Sequence, residues 1–318
     1  MKILVTGGAG FIGSHLVERL LREDHDVCVV DSFDPFYDPQ RKRRNLAAVT
    51  DHPRFRLHEV DILDVSALRQ TFSDAKPERV VHLAARANAR LALKEPAAYA
   101  RVLGEGTINL LELARDFGVE QFVLGSSSSV YGLNAKVPFS EEDPISTTIS
   151  PYAAGKRAAE LFCHVYAHTY GLPVTCLRFF NVHGPRQRPD LAIFTFVRLM
   201  LQNEPIHFYG DGTSGRDYTF VDDIIDGVVA SLHNIFSYKV INLGGNHPVL
   251  LRDMIAEIEH VLGVEARRVM LPPQPGDVPR TYADIRRAGE LLGFSPKVSF
   301  RDGVERFVAW YKREMVSV

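Results

Sequence analysis

Residues 5–16 read VTGGAGFIGSHL. Ile3, Leu4 and Val5 form a short apolar run, and from Phe11 onward the apolar residues take helical spacing. The stretch is therefore a strand, a glycine turn and a helix start in immediate succession. Gly7, Gly10 and Gly13 occupy the turn and the head of the helix. Glycine there permits a tight bend and close backbone approach. The helix N-terminus offers unpaired N–H groups and the positive end of its dipole to a pyrophosphate. The spacing is G-x-x-G-x-x-G rather than G-x-G-x-x-G, and in isolation such a triplet is only a turn. At the opening of a strand–helix–strand unit it predicts a dinucleotide site, with Phe11 and Ile12 beside the glycines.

Working outward, short β-branched runs alternate with helical patterns as far as about residue 180: DVCVVD, RFRLHEV, ERVVHLA, EQFVLGSS and PVTCLRF, separated by helices such as 97–117 and 151–171. Strands this short and apolar, each followed by a helix, imply right-handed crossovers and a sheet buried on both faces. The expected fold class is α/β, a doubly wound parallel sheet. Beyond residue 180 glycine and proline clusters (VHGPRQRPD, YGDGTSGRD, LPPQPGDVPR) interrupt the pattern. KVINLGG near residue 240 still reads as a core strand. The expectation is a cofactor-binding domain over 1–180 to which 218–245 returns, and a smaller, interleaved substrate-binding subdomain from 181–217 and 246–318.

With 46% hydrophobic and 24% charged residues the chain has material for a substantial core, so disorder is not expected. Lys plus Arg number 37 against 39 Asp plus Glu, a balance that gives no field for nucleic acid or an anionic membrane. The opening apolar run is too short for a secretory signal, and no stretch approaches the roughly 20 apolar residues of a membrane span. Cys28, Cys163 and Cys176 sit singly in apolar surroundings and read as reduced, buried side chains. A cytoplasmic location follows. The 12 histidines show no ligand spacing, so no metal is expected.

Asp31 ends the second strand, where a carboxylate accepts hydrogen bonds from an adenosine ribose and repels a 2′-phosphate, which favours NAD over NADP. Ser32 follows it. The basic run Arg41 to Arg44 could instead hold a phosphate, with Arg43 the residue assigned to the cofactor. Asp61 and Ile62 after the third strand could flank the adenine. Leu83, Ala84 and Ala85 after the fourth are small enough for a cofactor to lie against the strand ends.

Tyr152 and Lys156 lie one helical turn apart and project to the same side. An ammonium near a phenol favours the phenolate, and the positive nicotinamide of an oxidised dinucleotide adds to the effect, so the pair predicts a general base with lowered proton affinity. Four serines, Ser126 to Ser129, leave the fifth strand at its C-terminal end, the edge at which open α/β sheets bind ligands. Ser127 is the first candidate to pass a substrate proton toward Tyr152; Ser128 and Ser129 are the next.

TGGAGFIG, HLAA, SSSSVYG, SPYAAGK, LRFFNVHGP and GRDYTFVDD, in that order, span the whole chain. Together they resemble the extended short-chain dehydrogenase/reductase family, specifically its nucleotide-sugar 4-epimerases. DSFDPFYDPQRKRRNL is more similar to the UDP-glucuronate than to the UDP-glucose enzymes. The resemblance implies a Rossmann-like fold, a tightly held NAD and a homodimer built from the 97–117 and 151–171 helices. It implies Tyr152 as base, Lys156 as its partner and ribose anchor, and Ser127 as hydroxyl relay. Gly155 departs from the Thr or Ser that often precedes the family lysine.

The implied reaction removes the proton of the sugar 4-hydroxyl as hydride passes to NAD, turns the 4-keto sugar over, and returns the hydride to its other face. Related dehydratases and decarboxylases carry carboxylates just before V-Y-G of the serine loop; this chain has Ser128 and Ser129. Re-reduction is therefore expected instead of elimination or loss of carbon dioxide. Arg188 is assigned to the uronate carboxylate, with Arg90 a weaker candidate. For the uridine diphosphate the resemblance points to Asn181, Arg216 and Asp277, and Arg280 is added. Asp217, Asp222 and Asp223 read as loop and helix-cap residues. The competing readings are a UDP-glucose or UDP-N-acetylglucosamine 4-epimerase, a UDP-glucuronate decarboxylase, and a non-catalytic NAD-binding sensor.

Overall fold

The structure, a computed structural model, describes residues 1–272 and 278–316. Six strands, β1 (Lys2–Thr6), β2 (Asp26–Val30), β3 (Phe55–His58), β4 (Arg79–His82), β5 (Gln121–Ser127) and β6 (Val174–Phe179), are joined at one edge by a seventh, Tyr238–Leu243. All neighbours run parallel, in the order Tyr238–Leu243, β6, β5, β4, β1, β2, β3. The order reverses at β1, so the crevice beyond the C-terminal ends of β1 and β4 is the natural ligand site.

Side chains along β1 alternate between two cores: Ile3 and Val5 join one, Leu4 the other. That two-sided burial is why the strands are apolar at every position instead of every second one. Helices α1 (Phe11–Arg22), α2 (Pro39–Leu46) and α3 (Val65–Ala75) follow the first three strands. After β4 come α4 (Ala89–Ala92), α5 (Pro96–Ala100), a π turn at Arg101–Glu105 and α6 (Gly106–Asp116), so the helix expected over 97–117 is interrupted. Helix α7 (Pro151–Tyr170) follows β5. Ser150 caps it by accepting from the Ala153 N–H, Pro151 presets its first turn, and Gly171 at φ 71° ends it. Tyr152 is thereby fixed in the first turn, at the sheet's C-terminal edge.

Beyond β6 a third core forms from α8 (Ala192–Leu201), α10 (Leu251–Leu262) and α12 (Phe300–Tyr311). The helix between them, α9 (Val221–His233), packs back on α1 in the main core, and Arg19 binds Asp226 at 2.8 Å. Ala288, Leu292 and Phe294 also belong to the main core. Residues 286–294, which include α11 (Arg286–Leu292), thus pack on the large sheet against the edge strand 238–243, unlike the expectation that 246–318 lie wholly in the smaller part. Among the described residues no helix is long and apolar enough to cross a membrane.

Candidate active site

One cleft opens beyond β1 and β4. Its walls include Gly7, Gly10, Phe11, Ile12 and Gly13 from the first turn, Asp31 and Ser32 after β2, Asp61 and Ile62 after β3, and Leu83, Ala84 and Ala85 after β4. Tyr152, Lys156 and Arg188 line the same space.

The glycines are required by distance. Gly7 has φ 70°, and a Cβ there would stand 2.7 Å from the Ala84 nitrogen; one on Gly13 would lie 2.2 Å from the Gly7 carbonyl oxygen. The turn therefore sits directly against β4. Helix α1 starts at Gly10 with no side-chain cap and no acid in its first turn, leaving its N–H groups open to an anion. The buried Asp31 carboxylate accepts from the Ala9 N–H at 3.1 Å and the Phe33 N–H at 2.9 Å, and burial raises its proton affinity. Its remaining lone pairs face the cleft, which suits ribose hydroxyls. An uncapped helix start, a turn with no room for side chains and a strand-end acid together fit a dinucleotide.

Arg43 is not in this cleft. Its Nη2 lies 3.0 Å from both Glu59 oxygens, and its guanidinium covers the Phe33 ring at 4.1 Å. Successive helical residues point about 100° apart, and on α2 it is Lys42 that faces inward, donating to the Asp34 carbonyl at 2.9 Å. Sequence reasoning missed Lys42, and with it Asp34, Phe36, Tyr37 and Arg86, all of which line the cleft.

The electrostatics of Tyr152 also differ from expectation. Without a dinucleotide, burial raises the phenol's proton affinity, while the Ser127 hydroxyl and then the Arg188 charge oppose the rise. Lys156 has a partner of its own. Its buried ammonium donates to the Gly125 carbonyl at 2.6 Å, and burial pushes it down to about 8. The lowered affinity is expected with both Lys156 and an oxidised nicotinamide beside the phenol; without the dinucleotide burial raises it instead, while the Gly125 carbonyl within β5 engages the ammonium. His82, next to Lys156, is pushed down to about 3 by burial and by that ammonium, and it bridges Thr6 at 2.7 Å and Thr107 at 3.1 Å as a neutral ring.

The serines divide their roles. Ser129 donates to the Ser127 hydroxyl at 2.9 Å, and Ser127 stands beside the phenol, so hydroxyls run from the loop to Tyr152. Ser128 is buried in the turn. Ser126 lines the cleft but donates to Glu160 at 2.7 Å. Glu160 is fully buried and holds Arg178 through two bonds of 2.8 Å. This pair, which sequence reading also missed, braces β5, β6 and α7 directly beneath the site.

Arg188 binds Asp190 at 2.9 Å through two nitrogens and also donates to the Ala87 carbonyl, and Asp190 in turn accepts from Asn88 at 3.1 Å. Burial opposes the Arg188 charge, and Asp190 more than offsets it. Arg90 is exposed on α4. Arg216, Arg280 and Asn181 gather around Gly215 and Thr281, apart from the cleft walls. Arg216 donates to the Gly215 carbonyl at 2.9 Å, Gly215 bridges Arg280, and the Thr281 hydroxyl donates to the Asn181 side-chain oxygen Oδ1 at 3.5 Å. Asp277 lies outside the described residues. Asp217 ties Gly245 and Ala283, and Asp223 ties Lys297 and Val298, so both hold loops. Glu23, His25 and His233 bring three possible metal ligands within 4.8 Å at the opposite end of the sheet, a grouping invisible in sequence spacing.

Residues 3–244 match the model of the NAD dependent epimerase/dehydratase family. The chain belongs to that family. This epimerase/dehydratase-family chain is 41% identical over 313 residues to the UDP-glucuronate 4-epimerase of Thermodesulfobacterium geofontis, covering 98% of this chain and 96% of the relative. Among solved structures it is similar to the UDP-glucuronic acid 4-epimerase of Bacillus cereus in complex with UDP-glucuronic acid and NAD, with TM-score 0.93, 37% identity and coverage of 98% and 99%. It is also similar to the UDP-glucose 4-epimerase of Thermotoga maritima with UDP-glucose, with TM-score 0.90, 34% identity and the same coverage.

Proposed function

We propose that this family member inverts C4 of UDP-glucuronate to give UDP-galacturonate, through a transient 4-keto sugar and with NAD held throughout. The observation that carries the reading is the meeting of the glycine turn, the Tyr152 phenol and Arg188 in one cleft, in a chain whose full length is similar to UDP-glucuronate 4-epimerases.

Bound NAD supplies reversible acceptance of a hydride from C4. The rest falls to the chain. Tyr152 takes the proton of the 4-hydroxyl, directly or through Ser127, and gives it back after the sugar has turned over, so protons balance over the cycle. Ser128 and Ser129 stand where a C5 proton would need a carboxylate, which leaves re-reduction as the available exit. A 4-keto uronate is a β-keto acid, so its carboxylate must be held out of alignment with the ketone. Arg188 is the cation assigned to that carboxylate, sharing it with Asp190. Lys156 anchors the nicotinamide ribose; Asn181, Arg216, Arg280 and Asp277 serve the uridine diphosphate.

The protein acts in the cytoplasm as a homodimer. In support, Leu161 and Val165, one turn apart on α7, are 51% and 49% exposed.

A UDP-glucose epimerase is the second reading, favoured by the likeness to the Thermotoga maritima structure. Proton NMR of the products formed from UDP-glucuronate and from UDP-glucose separates the two. Conversion of the neutral sugar alone overturns the uronate assignment.

A further inference from the structure

A second cavity lies where the large sheet domain meets the smaller part of the chain. Arg41 and Arg44 from α2, Arg186 from the loop after β6 and Arg313 after α12 line it, with Glu314 as the carboxylate in its wall. Glu314 is bound to Arg313 at 2.9 Å, and Arg186 is held by Glu18 outside the cavity. Arg41 and Arg44 have no ion-pair partner among the described residues.

Gathering guanidinium groups this way is costly, because like charges at partly buried positions repel more strongly than in water. Two of the four show it. Burial and the neighbouring Arg44 hold Arg41 below its usual range, and its guanidinium rests 4.7 Å over the Phe194 ring of the smaller core. Arg186 sits at φ 64°, a left-handed backbone rare outside glycine, and its Nη1 is buried with no hydrogen-bond partner among the described residues. The basic run of α2 thus turns Lys42 toward the dinucleotide cleft and Arg41 and Arg44 toward this cavity. Tyr37 lines both spaces.

We propose that this cavity binds a small polyvalent phosphate anion, separately from the dinucleotide, with Arg41, Arg44, Arg186 and Arg313 as its donors. Planar guanidinium forks match phosphate oxygens in pairs, and an anion here satisfies the free Arg186 nitrogen while removing the repulsion between Arg41 and Arg44. It also ties α2 to the C-terminal helix across the boundary between the two parts. The site is independent of which UDP-sugar the first cleft accepts.

The test is calorimetric titration of inorganic pyrophosphate into protein already saturated with NAD and UDP, so that other phosphate sites are filled. The proposal expects one further site per chain at constant ionic strength. The double variant Arg41→Gln/Arg44→Gln should lose about tenfold or more in pyrophosphate affinity while keeping its turnover in phosphate-free buffer. No binding at millimolar pyrophosphate, or wild-type affinity in the double variant, overturns it. Circular dichroism and the retained turnover show that the variant is folded.

Discussion

Lys156 donates an ammonium N–H to the Gly125 carbonyl at 2.6 Å, a bond between α7 and β5. The Arg188 charge opposes the burial-driven rise in the proton affinity of the Tyr152 phenol. In the free protein burial raises that phenol's proton affinity, so the proposed role as base predicts that oxidised NAD brings the charge that lowers it.

A first consequence concerns the phenol itself. Tyr152→Phe should lower turnover by about 10²–10⁴-fold while NAD still binds. Ultraviolet difference titration should show one tyrosine ionising at lower pH in the NAD complex than in the free protein, and the variant should lack that signal. The same titration with and without NAD contradicts the proposal.

Lys156 carries a stability signature. Its amine is pushed down to about 8 from 10.5, so between those values the unfolded chain binds more protons than the folded one. The lysine's contribution therefore makes the free protein more stable as pH rises through that window. Lys156→Met removes this dependence. At neutral pH the variant should be more stable by about 1–2 kcal/mol, once the lost Gly125 bond is set against the relieved desolvation, and it should be inactive. Urea unfolding of both proteins at neutral and alkaline pH measures the difference; a wild type that gains nothing relative to the variant on the alkaline side refutes it.

Much of this site was legible from spacing alone. The glycine turn, the strand-end residues Asp31, Asp61 and Ala84, and the Tyr152–Lys156 pair depend on local periodicity, which the sequence carries directly. What escaped depends on how elements rotate and meet. Nothing local says that Lys42 and not Arg43 faces the cleft, that Glu160 and Arg178 find each other across 18 residues, or that a carbonyl of β5 engages the lysine. The apolar strands disclosed a doubly wound sheet for the same reason, whereas the return of Ala288 and Leu292 to the main core is a long-range packing event.

Gly155 has a packing role. A Cβ there would stand 2.7 Å from Leu103 Cδ1 and 3.0 Å from Leu103 Cβ, so α7 approaches the π turn too closely for a side chain. Gly155→Thr should destabilise by about 1–3 kcal/mol. In combination with Leu103→Ala the total loss should be smaller than the sum of the single losses. Additive losses in thermal unfolding speak against the contact.

Asp31 pins the glycine turn through the Ala9 N–H and lines the cleft, and the proposed function gives its carboxylate the adenosine ribose. Titration of the nucleotide-free protein should show a clear preference for NAD over NADP. Asp31→Ala should weaken NAD by about tenfold or more and narrow the preference. Equal binding of both dinucleotides by the wild type counts against the assignment.

In the proposed cycle hydride leaves C4 and returns to C4 of the same sugar. Turnover of UDP-glucuronate deuterated at C4, followed by proton NMR in ordinary water, measures it directly. The prediction is UDP-galacturonate with the deuterium still at C4 and no solvent proton at C5. A product with protium at C4, exchange at C5, or a pentose formed by loss of carbon dioxide rules that cycle out.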